Sequence, residues 1–220
     1  MSEPEASDKR LVVEIWSDVV CPWCYVGKRR FEAAVEQFEH REEVEVVWRS
    51  FELDRGAPAR QVGDYVGRLA AKYGTSTDEP EAMIERITDV GRSVGLEMRF
   101  DRAQHGNTFD AHRLLHLARA RHVQDAVKER FMQAYFTEGR PIGDRDTLVE
   151  LAVGAGLDAG EVAAVLDGDE YAAEVRADEE AAARLGASGV PFFVVDRRYA
   201  VSGAQATDLF IEVLERAWAS

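Results

Sequence analysis

The chain has 220 residues, 46% of them hydrophobic, and a formal net charge of −14. That length buries a substantial core in one large domain or two small ones, and the acidic balance argues against a nucleic-acid backbone or an anionic membrane surface as partner, since both repel it. No run reaches the ~18 apolar residues of a bilayer span. The opening "MSEPEASDKR" lacks the apolar core of a secretory signal and reads as a disordered tail, so a cytoplasmic protein is expected.

Residues 11–16, "LVVEIW", are apolar and rich in β-branched side chains, too short for a helix and suited to a buried strand. The only two cysteines, Cys21 and Cys24, follow in "SDVVCPWC". Beyond them Phe31, Ala34, Val35 and Phe38 recur at helical spacing, which predicts an amphipathic helix to about His40 with Cys24 on its buried face. Residues 44–51, "VEVVWRSF", read as a second strand, and strand–helix–strand at this length predicts a parallel, right-handed crossover.

From about Arg60 to Leu185 the patterns are helical only. Val62, Tyr65, Val66, Leu69 and Tyr73 run to Gly74; Met83, Ile84, Ile87, Val90 and Val94 run to Gly95, after Asp78, Glu79 and Pro80. Further helices are predicted over roughly 108–121, 123–138, 145–155, 159–167 and 170–186, with "EGRPIGD" the clearest break. At "GVPFFVVDRRYAVSG" the period returns to strands, 192–195 and 199–201, joined by a tight "DRR" hairpin, before a last helix from about Gln205 to Trp218. Strand-and-helix elements at both ends of a helical stretch predict a discontinuous domain, 11–59 with 186–218, that holds a helical insertion at 60–185.

Two cysteines with two residues between them admit three readings: a redox dithiol, half of a zinc site, or inert core residues. For a dithiol, Cys21 would stand at the start of the helix, where free N–H groups and the helix dipole favour a thiolate and Pro22 costs no hydrogen bond. Cys24, one turn on and facing inward, would resolve the mixed disulfide formed by Cys21. Lys28, Arg29 and Arg30 add positive charge nearby or simply form a solvated helix face. Zinc would need two more ligands from elsewhere; His112 and His116, four apart on a helix, are the candidates, with His105 and His122 flanking the same stretch.

The segments "SDVVCPWCYVGKRRFE", "SGVPFFVVDRRYAVSGAQ" and "NTFDAHRLLHLA" together resemble the DsbA-like branch of the thioredoxin superfamily, in particular FrnE-like cytosolic oxidoreductases, a group similar to 2-hydroxychromene-2-carboxylate isomerases and kappa-class glutathione transferases. The resemblance implies an α/β thioredoxin fold, a four-stranded mixed sheet with the 192–195 strand antiparallel to the rest and a large all-helical insertion. It also implies a cis Val190–Pro191 bond beside the cysteines. Val190 would then offer its backbone to an extended substrate, and Pro191 would pack near the sulfurs.

Glu14 resembles the buried acid that relays the proton of the resolving thiol, the alternative being an exposed edge-strand carboxylate. Trp23 either tunes the thiolate and touches substrate or is an ordinary surface aromatic. Asn107 and His112 either line the groove or belong to a polar helix face, with Asn107 also fitting a helix N-cap. The function expected is thiol–disulfide exchange in protein substrates, with no cofactor beyond the redox disulfide and with glutathione or a cellular dithiol as co-reactant. Two alternatives stand beside it: a glutathione-dependent isomerase or transferase of small aromatic substrates, and a non-catalytic, chaperone-like binding module.

Overall fold

A computed structural model describes residues 9–61 and 64–220. Val62, expected on the first helix of the insertion, and residues 1–8 of the expected tail lie outside the described residues. Lys9 is held in place: its ammonium bonds the Trp218 carbonyl and lies 4.8 Å from the centre of that indole.

The sheet has four strands, β1 (Leu11–Ser17), β2 (Val44–Ser50), β3 (Phe192–Val195) and β4 (Tyr199–Ser202), in the order β2-β1-β3-β4. β1 runs parallel to β2 and antiparallel to β3, and β3 runs antiparallel to β4. Its central place explains the composition of β1: a strand covered on both faces needs apolar residues at nearly every position. Leu11, Val13 and Ile15 face one core with Phe31, Phe193 and Phe210, whereas Trp16 faces the other with Phe192 and Val194. Each such fully buried side chain contributes about 1.5–3 kcal/mol of transfer free energy. The hairpin between β3 and β4 turns at Asp196 and Arg197, both at positive φ (50° and 55°), the paired left-handed geometry of a type I′ turn.

Helix α1 (Pro22–Gln37) and the C-terminal α9 (Thr207–Trp218) cover the first face. Between β2 and β3 come α2 (Tyr65–Tyr73), α3 (Asp78–Ser93), α4 (Phe109–Ala120), α5 (Gln124–Gln133), α6 (Arg145–Gly154), α7 (Ala159–Asp167) and α8 (Ala172–Arg184). Asp64, Asp144 and Asp158 cap α2, α6 and α7 by accepting first-turn N–H groups. The expected continuous helix over 123–138 is in fact α5 followed by a π-helical turn, Ala134–Glu138, ending at left-handed Gly139. The expected ends of α1 and α8 each shorten by two or three residues.

The cores do not divide where the chain does. Val19, Val20, Cys21, Cys24, Tyr25 and Val26, next to β1 in sequence, pack into the core of the helical block with Leu114, Phe131 and Phe136. The turn that carries the cysteines is therefore set by packing from both halves.

Candidate active site

Cys21 occupies the N-cap position of α1 with extended backbone (φ −89°, ψ 114°), and Pro22 takes the first helical position. Its carbonyl accepts from the N–H groups of Cys24 (3.1 Å) and Tyr25 (3.3 Å), which closes the first turn and sets Cys24 beneath it. Both cysteines are free and buried, and their sulfurs are within hydrogen-bonding reach of each other. The Cys21 sulfur lies 3.6 Å from the Val190 carbonyl oxygen, and the Val190–Pro191 bond is cis.

Gly27 makes this arrangement fit, since a Cβ built there would stand 2.9 Å from Pro191 Cγ. Cys21, Pro22, Trp23 and Val190 line a cavity of about 1170 Å³ between α1 and the α2–α3 pair, and Cys24 does not reach it. The outer sulfur meets that space and the inner one lies behind it.

Two thiols this close titrate as one unit. Hydrogen bonding to Cys24, burial, and the charge on Cys24 push Cys21 well above the ordinary thiol range. For Cys24, burial acts upward, but the hydrogen bond from Cys21 and the nearby Lys128 ammonium outweigh it, and the net direction is down. Ionisation of the reduced pair is thus favoured at the inner sulfur, with the proton kept on the outer one, whereas helix position alone favours the thiolate at Cys21. After the Cys21 hydrogen bond, Lys128 contributes most to that direction. It is wholly buried, donates to the Ser17 carbonyl at 3.1 Å, and has its pKa lowered to about 8 by burial, which leaves it charged at neutral pH.

Asp18 lies beside this cluster, sealed from water. It accepts from Leu53 N (2.8 Å) and approaches His112 Nε2 (3.3 Å). Burial raises its pKa, but the His112 contact and the Leu53 N–H carry the balance downward, so it is a buried carboxylate. Sequence reasoning passed over it as a loop residue; the signal available was a carboxylate three positions before Cys21 in an otherwise apolar turn.

Glu14, the expected relay, points elsewhere. Its carboxylate is bound by Arg49, with Nε at 2.9 Å, and approached by the Arg197 guanidinium at 3.7 Å. β1 alternates sides, and Glu14 shares the Trp16 face, away from the helix that carries the cysteines.

His112 is fully buried against Asp18 and does not line the groove, because α4 is enclosed by its neighbours along most of its length. Asn107 is also absent from the cavity wall; its side-chain oxygen accepts from Phe109 N at 2.8 Å, as in a helix cap. His116 lies 3.1 Å from Asp178 Oδ2 and 3.2 Å from Ser50 Oγ, so the two histidines serve separate carboxylates. Among the described residues no group of three or more His, Cys, Asp or Glu side chains is placed to hold a metal ion.

The basic run after the cysteines is not a solvated face. Lys28 is buried against Glu32, Asp125 (3.3 Å) and Glu129 (3.1 Å), Arg29 pairs with Glu32 (2.7 Å) and Glu129, and Arg30 donates to the Ala204 carbonyl (2.6 Å). The Lys28 and Lys128 ammonium groups lie 5.9 Å and 5.4 Å from the centre of the Trp48 ring.

Comparison with known proteins places the chain in a family. The chain aligns at 51% identity and a TM-score of 0.91 with the crystal structure of a probable DsbA oxidoreductase from Streptomyces coelicolor, covering 96% of this chain and 91% of that one. It is 30% identical over 200 residues to the uncharacterized protein YwbO of Bacillus subtilis, 90% of this chain and 92% of the relative. The cytosolic disulfide reductase DsbM from Pseudomonas aeruginosa, solved with glutathione, shares the fold at a TM-score of 0.63 and 21% identity, over 95% of this chain and all of that one. The model of the DSBA-like thioredoxin domain matches residues 12–215, and with these similarities the chain belongs to the DsbA-like thioredoxin family of thiol–disulfide oxidoreductases.

Proposed function

We propose that this chain exchanges disulfides with polypeptide thiols through Cys21 and Cys24, as a FrnE-like cytoplasmic enzyme. The observation that carries the reading is the division between the sulfurs: Cys21 opens onto a cavity large enough for a peptide segment, and Cys24 is shut behind it. As Cys21 attacks a substrate disulfide, its proton is left with Cys24 and the substrate's second sulfur departs as thiolate. That leaving sulfur takes up the proton as Cys24 attacks Cys21, which releases the reduced substrate and closes Cys21–Cys24. Substrate disulfide gains the two electrons of the dithiol and the one proton it held, and the second substrate sulfur leaves as a thiolate that solvent protonates.

Val190 offers a backbone edge for an extended segment, and Pro191, which has no N–H, leaves the sulfur free of a competing donor. A cellular dithiol or glutathione would return the protein to its starting state.

Turnover of a model protein disulfide tests the reading with Cys21→Ser and Cys24→Ser. Loss of turnover in the first, and trapped mixed disulfides at Cys21 in the second, are expected. Equal activity in both variants and the parent would show a binding module, and isomerisation of a chromene carboxylate with glutathione but no dithiol turnover would show the small-molecule enzyme.

A further inference from the structure

Seven large hydrophobic side chains are exposed among the described residues, and four of them, Trp23, Leu53, Tyr73 and Met83, line the cavity beside Cys21. Apolar exposure concentrated in one concave place marks a contact surface for another molecule. The same wall carries three cations, Arg68, Lys72 and Arg86. None has a carboxylate within ion-pair distance among the described residues, although this chain has acid to spare and pairs surface arginines such as Arg121, Arg130 and Arg140 with Glu161, Glu138 and Glu150.

Arg68 rests on the Tyr65 ring at 4.8 Å, and Lys72 lies 5.9 Å from that of Tyr73. The two acids of the wall are turned to backbone: Asp64 caps α2 through Gly67 N (2.6 Å), and Asp54 accepts from Gly56 N (3.1 Å). Two further wall residues hold buried polar atoms with no partner among the described residues, His105 Nε2 and Gln61 Oε1. Burial lowers the His105 pKa to about 4, so at neutral pH its ring offers hydrogen bonding without charge.

We infer that this cavity is a subsite for a polypeptide segment with acidic residues beside its reacting cysteine: Arg68, Lys72 and Arg86 take the carboxylates, and the exposed aromatic and apolar side chains take the flanking residues. The inference rests on the disulfide-exchange reading and adds the charge of the substrate. It also runs against the field of the whole molecule, because a net charge of −14 on its own favours a basic partner. An acidic preference would therefore have a local cause.

The test is single-turnover exchange between the reduced protein and mixed disulfides of 2-thiopyridine with three short peptides, acidic, neutral and basic around one cysteine. Cys21 attacks the peptide sulfur and 2-thiopyridone leaves; Cys24 then releases the peptide thiol, and the two electrons of the dithiol reduce the one disulfide supplied. The acidic peptide is expected to react about tenfold faster than the basic one, a difference of about 1.4 kcal/mol. That ratio should fall to about one in the Arg68→Gln/Lys72→Gln/Arg86→Gln variant and in high salt.

A basic peptide that reacts as fast in the parent, or an acidic preference that survives the triple substitution, overturns the inference. So does rapid exchange with oxidised glutathione alongside no discrimination among the peptides, which would assign the cations to a small thiol. If the parent consumes none of these disulfides, the exchange reading itself fails. The subsite is then judged by equilibrium binding of the cysteine-to-serine peptides, with tighter binding of the acidic one supporting it and equal or reversed affinities overturning it.

Discussion

His112 Nε2 lies 3.3 Å from Asp18 Oδ1, with both side chains closed off from solvent. The contact ties the turn before the cysteines to α4, and Asp18 Oδ2 adds a second tie through Leu53 N after β2. Three segments distant in sequence are thus fixed around one carboxylate.

Removing that carboxylate strands its partners. Asp18→Ala is expected to cost about 1–3 kcal/mol of unfolding free energy, the cost of leaving buried donors such as Leu53 N–H without their acceptor. The pH dependence has a definite sign: because folding lowers the Asp18 pKa, its contribution is complete above the ordinary carboxylate range and is lost as pH falls through the lower folded value. Urea unfolding from about pH 6 down to about pH 3 should show a shallower acid loss in the variant than in the parent, and parallel losses would remove Asp18 from the account.

Lys128→Met should change redox behaviour with the fold retained, since the stem of the lysine is replaced by an apolar chain of similar length. Loss of the ammonium withdraws stabilisation from the sulfur anion, so the first thiol ionisation moves up and the couple becomes more reducing. A change of about one pKa unit corresponds to about 1.4 kcal/mol, or about 30 mV. Thiolate absorbance against pH and equilibration with a glutathione redox buffer measure the two quantities, and an unchanged potential would contradict the role given to Lys128.

Gly27→Val places a branched side chain where even a Cβ would stand 2.9 Å from Pro191 Cγ and 3.5 Å from Phe193 Cζ. Overpacking of this kind costs about 1–3 kcal/mol. Exchange rates should fall by more than the stability loss explains, because the prolyl ring is pushed from the sulfurs. Rates measured well below the melting temperature separate the two effects, and parent-like exchange would show that the Gly27–Pro191 approach is dispensable.

Glu14→Gln serves as the contrast to Lys128→Met. Its partner Arg49 keeps Asp178 at 3.1 Å, so the expected loss of stability is about 1–2 kcal/mol. The thiol titration should not move. A displaced titration would return Glu14 to the proton path.

The strands, the long helix after the cysteines and the I′ hairpin were legible because period and composition agree there: β1 is apolar on both faces, and Phe31, Ala34 and Phe38 recur at helical spacing. The place of the dithiol was legible for the same local reason, since proline beside a cysteine at a strand-to-helix junction limits where the helix can start. What could not be read was which polar residues the helical block encloses. His112, Lys28 and Lys128 look like solvated letters in a helix and become interior groups only through packing between distant segments. The cis bond at Pro191 likewise came from resemblance, and part of the downward push on the Cys24 pKa comes from a lysine more than a hundred positions away.

The indole of Trp48, within 6 Å of two ammonium groups, acquires a use from that placement. Closing Cys21–Cys24 removes the ionisable sulfur that Lys128 faces beside Asp18, so the field across the ring differs between the oxidised state and the thiolate. The emission of this tryptophan, isolated by comparing the parent with Trp48→Phe, is therefore expected to differ with the bond open or shut and to report the chemistry from the protein's interior without a label.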